Sequence, residues 1–418
     1  MSRWYHRLLP EDLVADPRRR GGYWLFVAHV VTVFGIALSN LFYGLLGVWL
    51  IARRRQLTAS WSELVPLARP LLVYVAIGLV ATLASLDPLA SADDLKGVLA
   101  LATLLFAPLV VRGEADVSRA LSWMIGTITS LSIFGLVQYA LGDYGSLDRR
   151  IPGPFSHYMT FAGVLQVGAL LLVARLLTGG YKRPLNWLSL ALITWTLLLT
   201  LTRGAWVALA VTMLAFVVAR ARRYLPLIVA AALVLVFLAP GSWRERMRSI
   251  GDLHDFSNYD RLCMADAAFY MIDERPLFGI GPGMVKVRYP IYRQPTAPRS
   301  TVPHLHNTFL GLAAETGLLS LGAYLWLIGT SLWLAYRGYR DGGGSRGPHA
   351  ALYLGVMMAV VGFNVGGLFE DNWSDTEVQR LILFLLAAPL CLAAATTSPP
   401  VRPLEAEATP PRGDSDDG

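Results

Sequence analysis

The sequence predicts an all-α polytopic membrane protein with about twelve transmembrane helices and one large loop between spans nine and ten. Three observations carry this. The 418-residue chain is 55% hydrophobic and 16% charged, with mean hydropathy +0.48, too apolar for an ordinary soluble protein. Its apolar runs, among them 66–86, 95–111, 185–201 and 225–240, approach or reach the ~20 residues that cross a bilayer as helix. One long segment, 241–305, breaks the pattern with nine basic and seven acidic residues.

The apolar runs place spans near 22–38, 40–52, 66–86, 95–111, 119–141, 158–178, 184–201, 204–220, 224–240, 306–336, 349–369 and 379–396. The first stretch, Tyr23–Ala52, reads as one tilted helix or as two short ones meeting near Ser39-Asn40. Arg18-Arg19-Arg20 precede it and Arg53-Arg54-Arg55 follow it. Both clusters prefer the cytoplasm, so a hairpin of two spans is expected. The alternation then puts residues 1–21 in the cytoplasm and the acidic turns 87–94 and 370–377 outside. Segment 241–305 becomes a periplasmic loop, and the Pro- and acid-rich tail 397–418 a disordered cytoplasmic end. Spans one to nine thus occupy 22–240 and spans ten to twelve 306–396. The polar, Arg-rich start is not expected to act as a cleavable signal. Cys263 and Cys391 suggest neither a disulfide framework nor a metal site.

The loop violates the charge rule, although long loops translocate despite their charge. Lys occurs only at Lys96, Lys182 and Lys286, so part of the Arg enrichment is compositional. Within the loop, 262–272 is compatible with an amphipathic helix lying on the membrane or capping the bundle. It stops at Pro276, which cannot continue a helix. Pro276-Leu277-Phe278-Gly279-Ile280-Gly281-Pro282-Gly283 reads as a structural turn. It lacks the Lys-Ser/Thr of a phosphate loop, so nothing points to a nucleotide or to a nucleic-acid partner.

The polar residues that stand out lie at the outer membrane edge. Arg203 sits in Thr202-Arg203-Gly204-Ala205-Trp206 at the end of a span, where Gly204 permits close approach and Trp206 can anchor at the interface. An Arg at such an edge needs water, lipid phosphate or a partner, and its fork suits bidentate phosphate binding; snorkelling to headgroups is the bland alternative. His306-Asn307 closes the large loop where the chain re-enters the membrane. An imidazole there can gain and lose a proton near neutral pH, suiting a general base; a helix-capping or interfacial His is the competing reading.

Several elements together resemble the O-antigen ligase and polymerase superfamily. They are Thr202-Arg203-Gly204, Asp260-Arg261 ahead of Arg275-Pro276-Leu277-Phe278-Gly279, and His306-Asn307-Thr308-Phe309-Leu310 followed by Glu315-Thr316-Gly317-Leu318. The earlier Arg150-Ile151-Pro152-Gly153-Pro154-Phe155-Ser156-His157 is similar to that family's external segment before its sixth span, though Pro154 and the lack of a following Asn-Pro depart from the commoner pattern. The elements keep the family's order over roughly 145–375.

The resemblance implies a GT-C-like membrane glycosyltransferase of the bacterial inner membrane, with its site facing the periplasm and no cofactor. Its donor would be an undecaprenyl-diphosphate-linked glycan and its acceptor lipid A–core, joined by inverting transfer. On that reading His306 is the catalytic base, and Arg203 and Arg261 clamp the diphosphate in place of a metal. No Asp-x-Asp occurs in an external loop, which supports metal independence. His304 is the rival base, and Asn307 could orient the imidazole or hold a sugar. Arg150, His157, Arg288, Glu315, Asp371 and Asp375 are weaker candidates for binding substrate or supporting these groups. An O-antigen polymerase or a protein O-oligosaccharyltransferase would use the same chemistry. A lipid-linked glycan transporter would instead carry charges along mid-membrane helices in broken, repeated halves.

Overall fold

Helices account for the whole architecture of the computed structural model, which describes residues 17–55, 61–146, 148–220, 222–226, 230 and 241–393. No strand occurs among them. The principal helices are α1 (Pro17–Val31), α2 (Ile36–Arg53), α3 (Trp61–Leu83), α4 (Gly113–Leu141), α5 (Tyr158–Leu177) and α6 (Pro184–Leu199). They continue with α7 (Arg203–Arg220), α8 (Phe256–Glu274), α9 (Thr308–Asp341), α10 (Ala350–Gly366) and α11 (Thr376–Ala393). Seven of these are long and apolar enough to cross a membrane, and α6 and α10 are shorter apolar helices. The protein is a polytopic membrane protein.

Tyr23–Ala52 forms two packed helices, α1 and α2, rather than one, but the turn between them falls at 32–35, so Ser39 and Asn40 lie inside α2 and not at the junction. The expected span 95–111 is not a single helix. Short pieces, Asp93–Gly97, Val98–Leu101 and Thr103–Val110, follow one another there, each too short to cross a bilayer. The expected span 224–240 and tail 397–418 lie almost wholly or wholly outside the described residues.

The bundle has an inner layer and an outer one. In α5 and α11 nearly every side chain is buried, and they pack against α4 and α10. Lipid tails are as apolar as Leu, so inside a bilayer such contacts rest on close packing and on internal hydrogen bonds. The Gln166 amide of α5 donates to Gly362 O of α10 at 2.8 Å, and Ser331 of α9 donates to Leu386 O of α11 at 2.9 Å. Outer helices expose apolar faces: α2 buries only Ser39, Leu46 and Leu50. Cys263 and Cys391 are both buried and free.

Segment 241–305 folds onto one end of this bundle. Asp255 caps α8, accepting from Ser257 N and Asn258 N, and α8 buries Cys263, Met264, Ala267, Ala268 and Met271. It packs against α9 and the short helix Val285–Tyr292. The stretch 276–283 is a structural turn clamped between two elements. Ile280 N and Gly281 N donate to Ala314 O and Glu315 O, both at 2.9 Å, while Leu86 N donates to Ile280 O at 3.0 Å.

That clamp breaks the expected helix 306–336. Gly317 has φ 84° and ψ 169°, so residues 308–316 form a short segment set off from the rest of α9. A side chain there would meet Leu277 O at 2.1 Å, and Leu318 N turns to Pro276 O at 2.8 Å. Gly317→Ala should therefore destabilise the protein by more than about 1 kcal/mol, since the backbone needs positive φ and the space is filled. Thermal unfolding in detergent measures this, and an unchanged midpoint would contradict the tight Leu277 approach.

Candidate active site

Five chain elements meet where the loop joins the bundle: the starts of α5, α7 and α9, the end of α10, and the turn leading into α11. Asn307 caps α9, its Oδ1 accepting from Phe309 N and Leu310 N at 3.0 Å each. Its amide nitrogen donates to Leu368 O at 3.2 Å, and Thr308 N donates to Gly367 O at 2.8 Å. The Thr308 hydroxyl lies 3.1 Å from Asp371 Oδ1 and 3.2 Å from Glu370 O. Residues 306–308 are thereby clasped to residues 367–371.

The clasp brings His306 onto Glu370. His306 Nδ1 lies 2.9 Å from both Glu370 carboxylate oxygens, and His304 Nε2 lies 3.6 Å from Oε1. His306 has φ 50°, a left-handed conformation that a non-glycine residue seldom adopts. Burial alone would push the Glu370 carboxyl up. The His306 hydrogen bond and the charges of His306, His304 and Arg261 outweigh that and hold it below the usual range. A carboxylate on Nδ1 fixes the tautomer: Nδ1 carries the proton and Nε2 is left as the acceptor. Burial holds His304 below the ordinary imidazole value, against the pull of Glu370.

Four arginines line one narrow cavity beside this pair: Arg150, Arg203, Arg246 and Arg261, with Glu370 as the acid among the lining residues. Arg203 opens α7. Its Nη1 donates to Ser249 O and Oγ at 2.6 Å each, and its Nη2 to Asp255 Oδ1 at 2.8 Å. Arg246 donates through Nε to Leu201 O at 3.3 Å, and Leu201 is itself left-handed at φ 54°. Arg261 donates to Ser257 Oγ at 3.0 Å and leaves Nε without a partner. The Arg150 guanidinium stands 4.5 Å from the centre of the Tyr158 ring. The enclosed space is about 20 Å³, room for about one water. An anion as large as a diphosphate needs these side chains to part, and Asp255 and Ser249 are the groups Arg203 would release.

Gly204 explains the closeness of the two halves. A Cβ on it would stand 2.6 Å from Phe369 Cβ, so only glycine lets the turn carrying Glu370 rest on the α7 corner. Trp206 donates to Leu197 O at 3.1 Å and packs near Trp243.

The remaining candidates divide. His157 caps α5, accepting from Met159 N, and burial lowers it against the pull of Glu370. Asp371 accepts from Ser374 Oγ at 2.7 Å, and Asp375 accepts from Thr160 Oγ1 at 2.5 Å, so both brace the turn. Asn307 spends its amide on the cap, and Glu370 contacts the imidazole in its stead. Glu315 is half-buried beside the clamp, where it accepts from Val285 N at 3.1 Å. Arg288 lies on the short helix near Tyr292, and its Nε has no partner. Sequence reasoning missed Glu370, Arg246 and Asp255. His304, His306 and Glu370 also present ligand atoms within 4.8 Å of one another, a geometry that could hold a metal ion.

Residues 188–327 match the family model described as O-antigen ligase. That match supports the resemblance to the O-antigen ligase/polymerase superfamily over those residues. None of the curated proteins matches it significantly. The matched stretch carries Arg203, Arg261 and His306 and ends before Glu370. In this chain the acid beside the imidazole thus comes from outside the matched stretch.

The depressed Glu370 carboxyl makes a pH prediction. A group whose folded pKa is lowered contributes stability above its unfolded value, near 4.5, and that stability is lost as pH falls through the folded value. Glu370→Gln should flatten this acid-side loss, read as thermal midpoint against pH from 7 down to about 3. An identical profile in the variant would contradict the pairing.

Proposed function

We propose that this protein is an O-antigen ligase. It would transfer an O-antigen glycan from undecaprenyl diphosphate to an outer core sugar of lipid A–core, at the periplasmic face of the inner membrane. The observation that carries this is a His306–Glu370 pair beside four arginines at one end of a membrane bundle. It supports base catalysis against an anionic leaving group.

In this reaction the acceptor hydroxyl attacks the anomeric carbon from the side opposite the diphosphate, which makes the transfer inverting. The new O–C1 bond forms as the C1–O bond to phosphate breaks. His306 Nε2 takes the hydroxyl proton, and undecaprenyl diphosphate leaves with the bond's electron pair. Glu370 stabilises the imidazolium that develops, acting through Nδ1. Arg203 and Arg261, with Arg246 and Arg150 close by, offset the charge on the departing diphosphate. For Arg203 this requires exchanging Asp255 for the substrate.

Orientation follows the charge distribution. Arg18-Arg19-Arg20 and Arg53-Arg54-Arg55 favour the cytoplasmic end, which leaves 241–305 and the arginine cavity on the other side. The clustering of Arg and His at one edge, rather than along mid-membrane helices, favours an enzyme over a transporter. A polymerase or a protein O-oligosaccharyltransferase would use the same base and clamp with a different acceptor.

In cells, deletion should remove long-chain glycan from lipid A–core while polymerised glycan remains on the carrier lipid, seen by lipopolysaccharide gel. A single repeat accumulating on lipid A–core would assign polymerase instead. His306→Ala should slow transfer by about 10²–10⁴-fold, the usual contribution of a general base. Arg203→Ala and Arg261→Ala should each abolish detectable transfer with the protein still inserted; normal transfer in any of the three refutes that residue's role. Transfer should persist in excess chelator. Loss of activity restored by a divalent ion would turn His304, His306 and Glu370 into a metal site.

A further inference from the structure

A second and larger cavity, of about 610 Å³, lies between α2, the stretch 96–106 and the start of α11. That volume is within the range of small-molecule sites, about 300–1,000 Å³. None of its lining residues belongs to the arginine cavity. Asn372 lines the arginine cavity and Thr376 lines this one.

One stripe of α2 forms a wall: Asn40, Tyr43, Gly44 and Gly47, at the spacing of a single helix face. A Cβ on Gly44 or Gly47 would meet no heavy atom within 4 Å, so this wall fronts open space. Because α2 buries so few residues, it stands at the bundle's perimeter, and the cavity beside it is within reach of lipid.

The polar groups in the walls point to the ligand's charge. Arg380 is 3% exposed; its Nη2 donates to Asn40 Oδ1, and its Nη1 has no hydrogen-bond partner. His29 is 2% exposed, with Nδ1 3.0 Å from Ser39 O and Nε2 unpartnered. With Nδ1 donating to that carbonyl, Nε2 is left as an acceptor. Lys96 adds a second cation, paired to exposed Asp93 at 3.3 Å. Among the described residues no carboxylate lines the cavity; Glu377, less than a turn before Arg380, is the acid acting on Arg380. A buried guanidinium with an unmet donor, next to a lone acceptor, fits a phosphate that carries a neighbouring hydroxyl.

We propose that this cavity binds the phosphate headgroup of an acyl lipid, with Arg380 on the phosphate and the lipid's apolar part along the Gly44–Gly47 face of α2. The lipid comes in from the bilayer, past the perimeter helix. This inference does not depend on the proposed transfer reaction.

Native mass spectrometry of the full-length protein in detergent, with phosphatidylglycerol added, tests it. The wild type should retain phosphatidylglycerol in preference to diacylglycerol. Arg380→Gln should retain about tenfold less, the loss expected for one charge-assisted hydrogen bond. A Cβ at position 47 meets no heavy atom within 4 Å, so Gly47→Leu places its side chain in the cavity and should block retention with an unchanged thermal midpoint. If Arg380→Gln fails to fold, the Gly47 variant decides. Undiminished retention in Gly47→Leu, or equal retention of diacylglycerol, overturns the proposal. Stabilisation by inorganic phosphate alone equal to that by phosphatidylglycerol would mark a free-anion site and overturn the lipid assignment.

Discussion

Two chain segments about sixty residues apart are clasped at one end of the bundle, and the candidate site is arranged around that clasp. Residues 306–308 bond to 367–371 through Thr308 N, the Asn307 amide and the Thr308 hydroxyl, and only then does the His306 imidazole reach Glu370. The left-handed backbone of His306 costs about 1–2 kcal/mol. A hydrogen bond to a charged group contributes about 1.5–3 kcal/mol, enough to offset it. The strain is thus sustained by the contact it makes possible, as is common where backbone conformation serves chemistry.

The surroundings explain why the clasp can form. Gly204 lets Phe369 settle on the start of α7, so the turn bearing Glu370 and the corner bearing Arg203 come together. From the other side, the 276–283 turn and the break at Gly317 set residues 308–316 apart from the rest of α9. The His306 end of α9 is therefore oriented by the loop, while the remainder of the helix packs on α3 within the bundle.

Much of this was legible in the chain. The Arg clusters flanking Tyr23–Ala52 implied two helices, and the apolar runs implied most of the bundle. Arg203, Gly204, Arg261 and His306 stood out because each is unusual where it lies. Glu370 did not, since at the edge of an apolar run a single acid reads as a turn, and its partner is remote in sequence. Arg246 was hidden among the other loop arginines. The break at Gly317 left the apolar periodicity intact, and the broken helix at 95–111 reads as a continuous apolar run. Tertiary contacts, not local pattern, decide these features. Family resemblance supplied the proposal of an Arg clamp on a diphosphate.

The central claim is that Glu370 acts through His306, and a double-mutant cycle on glycan transfer tests it most directly. With His306→Ala, Glu370→Gln and the double variant, all folded, the account predicts that the double variant loses no more rate than His306→Ala alone. Losses that simply multiply would show two independent contributions and contradict it.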